Sequence, residues 1–159
     1  MEMPEILVYG YGNPGRQDDG LGIALVERLK NDNLHSNIEF DVNYQLNVED
    51  ALTISTKDIV IFIDASSLNI DCFRFQKIIP SAANDFTTHA MHPSCVMEIC
   101  RKLYDKSPDA YILEIKGYKW DMKEILSQEA QRNLELAYRF MKNKLSVFGK
   151  GCFGYSCKI

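Results

Sequence analysis

The chain has 159 residues, 46% of them apolar and 25% charged, with 9 glycines and 5 prolines, the profile of one globular domain long enough to bury a core. Its 18 basic residues against 22 acidic ones leave a net charge of -4, which argues against a nucleic-acid partner because no global basic field faces a polyanion. The longest unbroken aliphatic and aromatic run, Ile59 to Ile63, is far too short to span a bilayer, and Met1 to Glu5 has no apolar signal-peptide core, so a cytoplasmic protein with no membrane span is expected.

In chain order, Glu5 to Gly10 is a β-rich run that ends in glycines. Leu21 to Leu29 follows with apolar residues at helical spacing. Ile38 to Val42 alternates like a strand near a sheet edge, and Val48 to Ile54 predicts a short helix with Asn47 as its cap. Asp58 to Asp64 is a continuous β-branched and aromatic run, as a parallel strand covered on both faces requires. Cys72 to Ile79 alternates and lies close enough behind it to pair antiparallel. Pro93 opens a helix over Ser94 to Tyr104, Ala110 to Ile115 reads as a strand, and Ser127 caps a long amphipathic helix reaching Phe148. This alternation predicts an α/β fold in three layers: an open, twisted, mostly parallel sheet of five strands with helices on both faces.

In such a sheet, ligands bind beyond the carboxyl ends of the strands. Three features fall there: the loop Gly10 to Gly20, Asp64 at a strand end, and His89 in the loop before the third helix. Gly10, Gly12 and Gly15 spell a literal GxGxxG, the pattern of a dinucleotide site. Asp18 and Asp19 intervene before the helix, however, and two carboxylates there repel a phosphate. Acids at a helix head also have a plain capping role, which one of the pair is expected to fill. Asp64 is harder to explain structurally, since a carboxylate ending a buried strand is costly without a partner or a cation. Two carboxylates and an imidazole suit a first-row divalent cation while leaving positions open. His92, beside Pro93, is the alternative ring, and His35 suits a helix end or the surface. Of the five cysteines, Cys95 and Cys100 fall in an apolar stretch as core residues, and Cys152 and Cys157 in the Gly-rich tail lack zinc-site spacing.

The run from Ile6 through Gly10-Tyr11-Gly12-Asn13 to Asp18-Asp19-Gly20-Leu21-Gly22 resembles the glycine, asparagine and acid signature of the nickel-iron hydrogenase maturation endopeptidases. Tyr44-Gln45-Leu46 with Glu49-Asp50-Ala51, Val60 to Ala65, Thr88-His89 with Pro93, and Gly117 with Leu126-Ser127 are similar to later family segments, in order. The resemblance reaches about Phe148; it covers one domain, 1–159, and leaves 149–159 as an expected flexible tail. It implies a peptide-bond hydrolase that trims the C-terminal extension of a hydrogenase large-subunit precursor. The resemblance further implies Asp19, Asp64 and His89 as the catalytic, metal-contacting trio, and substrate contacts at Asn13, Asp18 and Gln45. Nickel is expected to arrive with the substrate, with no tightly bound metal in the resting enzyme. The competing expectation is a noncatalytic metal- or nucleotide-binding assembly factor on the same fold.

Overall fold

The computed structural model describes residues 2–81 and 91–151. Five strands, β1 (Ile6–Tyr11), β2 (Ile38–Asn43), β3 (Ile59–Ser66), β4 (Phe73–Ile78) and β5 (Asp109–Lys116), form one sheet in the order β2-β1-β3-β5-β4. All neighbours pair in parallel except β4, which lies antiparallel on β5 as an edge strand. Ile6 stands opposite both Ile38 and Ile59, and Asp64 stands opposite Glu114.

The period of two along β1 and β3 divides their side chains between two cores. Ile6, Val8, Ile61 and Ile63 pack with Leu21, Leu25 and Leu29 of α1 (Leu21–Lys30) and with Met141 and Leu145 of α4 (Gln128–Gly149). Leu7, Tyr9, Val60 and Phe62 face the opposite way, onto α2 (Asp50–Ile54) and α3 (Pro93–Tyr104). β3 reads as an unbroken apolar run because neither of its faces meets water. Each of its fully buried side chains stabilises the fold by about 1.5–3 kcal/mol before conformational entropy is subtracted.

The three-layer α/β expectation holds. Ser127 caps α4 by accepting from the Ala130 N–H at 3.2 Å. α2 differs from its expectation: Asn47 does not cap it through its side chain. Instead the Asp50 carboxylate reaches back to the Asn47 N–H at 2.7 Å, because an acid in the first turn can satisfy a free donor upstream. Cys95 and Cys100 are buried in the core, and burial pushes the Cys100 thiol up. His35 packs against Gly149, the last residue of α4, where a β-carbon would come within 2.5 Å of the imidazole. Cys152 and Cys157 lie outside the described residues.

Candidate active site

The chain leaves β1 toward β2 on one side and enters β3 on the other, so the winding reverses between β1 and β3. That is where an open α/β sheet leaves a crevice at its carboxyl edge. A cavity of about 570 Å3 opens there, lined by Tyr11, Asp19, Gln45, Asp64 and Trp120, with Gly12 in its floor.

The loop after β1 delivers the acids. At Gly12 the backbone has φ of 140°, and a β-carbon would lie 2.0 Å from the Asp19 carbonyl oxygen, so only glycine fits. Asn13 accepts the Gly15 N–H on its own side-chain oxygen at 2.9 Å and closes a tight turn, while its backbone N–H donates to the Asp19 carboxylate at 2.9 Å. A short 3-10 turn, Gln17–Gly20, follows, and Gln17 adopts a left-handed φ of 46°. Strain there is offset by contacts to a distant loop: the Gln17 N–H donates to the Lys123 carbonyl at 2.8 Å, and its side-chain oxygen accepts from the Asp121 N–H at 3.1 Å.

The two adjacent acids then part. Asp18 turns inward, is 0% exposed, and accepts from the Tyr118, Lys119 and Ser127 N–H groups and from the Ser127 hydroxyl, all within 2.9 Å. Burial alone raises its pKa, but these donors outweigh burial and hold the carboxyl below the ordinary range. Asp18 thereby ties the β1 loop to the start of α4, and the structure does not place it on the cavity wall. Asp19 points the other way, into the cavity.

Asp64 enters from the end of β3. Burial, followed by the nearby carboxylates of Asp19 and Glu114, drives its pKa up; the Tyr11 hydroxyl and the Ala65 N–H pull against this as hydrogen-bond donors, and the carboxyl settles at about 7. The Tyr11 phenol is itself pushed well up, first by burial and then by the Asp64 charge. Glu114, opposite Asp64, is engaged by the Arg74 guanidinium, with Nε at 2.8 Å.

Gln45 lines the cavity as expected, on the loop after β2. That loop is fastened from below, where the buried Tyr9 hydroxyl donates to Asp50 at 3.0 Å. Asn13 is not among the lining residues, its side chain being committed to the loop turn. His89 lies outside the described residues. The His92 Nδ1 accepts the Ser94 N–H at 3.1 Å and caps α3, so that ring already has a structural task. Among the described residues no group of three or more His, Cys, Asp or Glu side chains is arranged to hold a metal; Asp19 and Asp64 are the two expected ligands brought together.

The same loop removes the basis for a dinucleotide site. The N–H groups of Gly12, Asn13, Gly15, Arg16, Gln17, Asp18 and Asp19 all donate within the protein, which leaves no cradle of amides for a pyrophosphate. Gly10 serves packing instead, as a β-carbon there would lie 2.5 Å from the Gly22 carbonyl oxygen of α1.

Sequence reasoning missed Tyr11, Arg16, Tyr44 and Trp120 on the cavity wall. Tyr11 was within reach, since it is the last residue of β1 and shares the edge with Asp64. Trp120 carries one signal, being the single tryptophan of the chain, set between Lys119 and Asp121.

No protein-family model matches the chain, and no curated protein matches it in sequence. Solved structures do. A NiFe hydrogenase maturation protease, HycI, from Thermococcus kodakarensis KOD1 superposes with a TM-score of 0.73 at 19% identity, covering 89% of this chain and 92% of that one. The hydrogenase maturating endopeptidase HybD from E. coli gives a TM-score of 0.72 at 18% identity over 89% and 91% of the two chains. A hydrogenase 2 maturation peptidase from Thaumarchaeota archaeon SCGC_AB-539-E09 gives 0.68 at 18% identity, covering 90% of this chain and 99% of that one. The chain thus has the fold of the hydrogenase maturation proteases.

Proposed function

We propose that the protein is an endopeptidase that removes the C-terminal extension of a nickel-iron hydrogenase large-subunit precursor after nickel insertion. The observation that carries this reading is the meeting of Asp19 and Asp64 at the β1/β3 crevice, with Asp64 raised to about 7. The fold shared with maturation proteases supports it.

Two carboxylates in one half-buried cavity repel each other until a cation arrives. Nickel carried by the precursor is that cation in this reading, and its oxygen contacts fall to Asp19 and Asp64, with His89 as the proposed third. Without a cation the Asp64 carboxyl sits at about 7, and nickel held by it would favour the ionised form, so an oxygen of Asp64 or Asp19 left off the metal is the proposed group that orients the attacking water. Tyr11 holds the Asp64 carboxylate from inside, and Gln45 offers an amide to the substrate backbone. The nucleotide-binding alternative finds no support in a loop whose amides are already committed.

The test mixes metal-stripped protein with nickel-loaded and with nickel-free precursor and follows the large subunit by intact mass. The expected result is loss of the extension from the nickel-loaded form only, abolished by His89→Ala and largely kept by His92→Ala. Efficient trimming of the nickel-free precursor, or no trimming of either, overturns the reading.

A further inference from the structure

Two aromatic side chains stand at opposite sides of the cavity, neither assigned a role above. Tyr44, 70% exposed, follows β2, and Trp120, half-buried, follows β5. Between β2 and β5 lie β1 and β3, whose ends carry Tyr11 and Asp64. Three inter-strand steps span about 14 Å, the length of about four residues of extended chain. A short peptide laid across these strand ends would cover that span and pass over the ends of β1 and β3, beside which the two acids stand.

The two walls differ in stiffness. Trp120 is fixed at several points: its carbonyl accepts from Arg16 Nε at 3.2 Å, and Lys119 and Asp121 on either side are bonded to Asp18 and Gln17. Its indole lies on the bare backbone of Gly117, where a β-carbon would come within 2.9 Å of Cη2. A large aromatic face pinned in this way loses little further freedom on binding, which is what makes such a residue an effective contact. The Tyr44 ring, by contrast, is mostly in solvent.

We propose that Tyr44 and Trp120 are the end walls of a groove for an extended peptide, in which Trp120 packs against an apolar substrate side chain one or two residues from the cleaved bond. The groove rests on the endopeptidase reading and adds to it a residue that sets substrate preference. Trp120 touches substrate without entering the chemistry, so its removal acts on binding.

The experiment measures cleavage of the nickel-loaded precursor by wild type, Trp120→Ala, Trp120→Leu and Trp120→Phe. The alanine variant is expected to raise KM about tenfold with kcat within about twofold, and phenylalanine to recover most of the loss. Leucine keeps bulk on Gly117 without the aromatic face and is expected to raise KM as well, which guards against a folding defect in the alanine variant. Precursors with glycine at each of the two residues on either side of the bond complete a double-mutant cycle. One of these substitutions is expected to cost wild type about tenfold in KM and Trp120→Ala almost nothing. Unchanged KM in the Trp120 variants, or glycine costs equal in both enzymes, overturns the groove while the endopeptidase reading stands. A wild-type protein that cuts no precursor overturns both.

Discussion

The two ends of the sheet each hold a hollow, and the larger one is the less informative. At the amino ends of the strands an open hollow of about 1180 Å3 is lined by Glu5, Asn37, Asp58 and Lys150, against about 570 Å3 at the carboxyl ends. Two donors in the large hollow are turned toward the chain itself. The Glu5 N–H donates to Asp58 at 2.8 Å, and the Asn37 amide donates to the Pro4 carbonyl at 2.6 Å, fastening the segment that leads into β1. At the other end, Asp19 and Asp64 line one cavity together, although each also holds a donor of the chain, the Asn13 N–H and the Tyr11 hydroxyl. Volume is a poor guide to chemistry; the direction in which carboxylates point is a better one.

The largest expected effect sits at the carboxyl end. Asp64→Ala and Asp19→Ala are each expected to lower precursor cleavage at least about 1000-fold while the melting temperature falls by no more than about 5 °C, because each carboxylate lines the cavity and holds only one or two donors. A variant that retains turnover breaks the contrast between the two ends. Next comes the strut behind the site. Asp18→Ala leaves four donors without an acceptor and is expected to cost about 3–5 kcal/mol, seen as a fall of roughly 10 °C in Tm. Since Asp18 titrates below its ordinary 3.8 when folded, its contribution is complete above that pH and is lost as pH falls through the folded value. The gap between wild type and Asp18→Ala is therefore expected to narrow in acid.

Asp64→Asn sharpens the comparison from the opposite side. Its folded pKa of about 7 lies above the ordinary 3.8, so the charged form penalises folding increasingly as pH rises from about 4 to 7 and in full above that. Asparagine is expected to raise Tm by roughly 5 °C at pH 8 and by almost nothing at pH 4, measured by thermal melts in the absence of metal. The smallest effect belongs to the amino end. Asn37→Ala is expected to cost about 1 kcal/mol in denaturant titration with cleavage unchanged; lost activity there links the two ends in a way the structure does not.

How much of this was legible depended on how local the cause was. β3 could be read because burial on both faces leaves an apolar run that no other context needs, and Asp64 stood out as the charge ending that run. The acid loop could be located for the same reason, between a strand and a helical period. Its division could not. Which of Asp18 and Asp19 faces inward depends on Ser127, 109 residues away, whose N–H and hydroxyl meet Asp18. Asn13 looked available for substrate because its commitment to the Gly15 N–H depends on the turn geometry of a loop whose amides are shared with distant segments. Trp120 is not legible in the sequence because the seat of its ring, Gly117, is recognisable only after β5 and the following loop are folded together.

The seam between β1 and α1 carries a consequence for how such a protein can change. Gly10 and Gly22 bring backbone against backbone, with a β-carbon at Gly22 falling 2.4 Å from the Ile63 carbonyl and 2.8 Å from that of Tyr11. Side-chain layers tolerate exchanges of volume, since neighbours repack around them. A seam made of main-chain atoms has nothing to repack, so it works as a fixed gauge that sets the height of α1, and of the acid loop leading into it, above the ends of β1 and β3. Both cores can drift in composition while Asp19 keeps its station relative to Asp64, whereas one added methyl group at Gly22 would shift the two out of alignment before the rest of the fold registered a change.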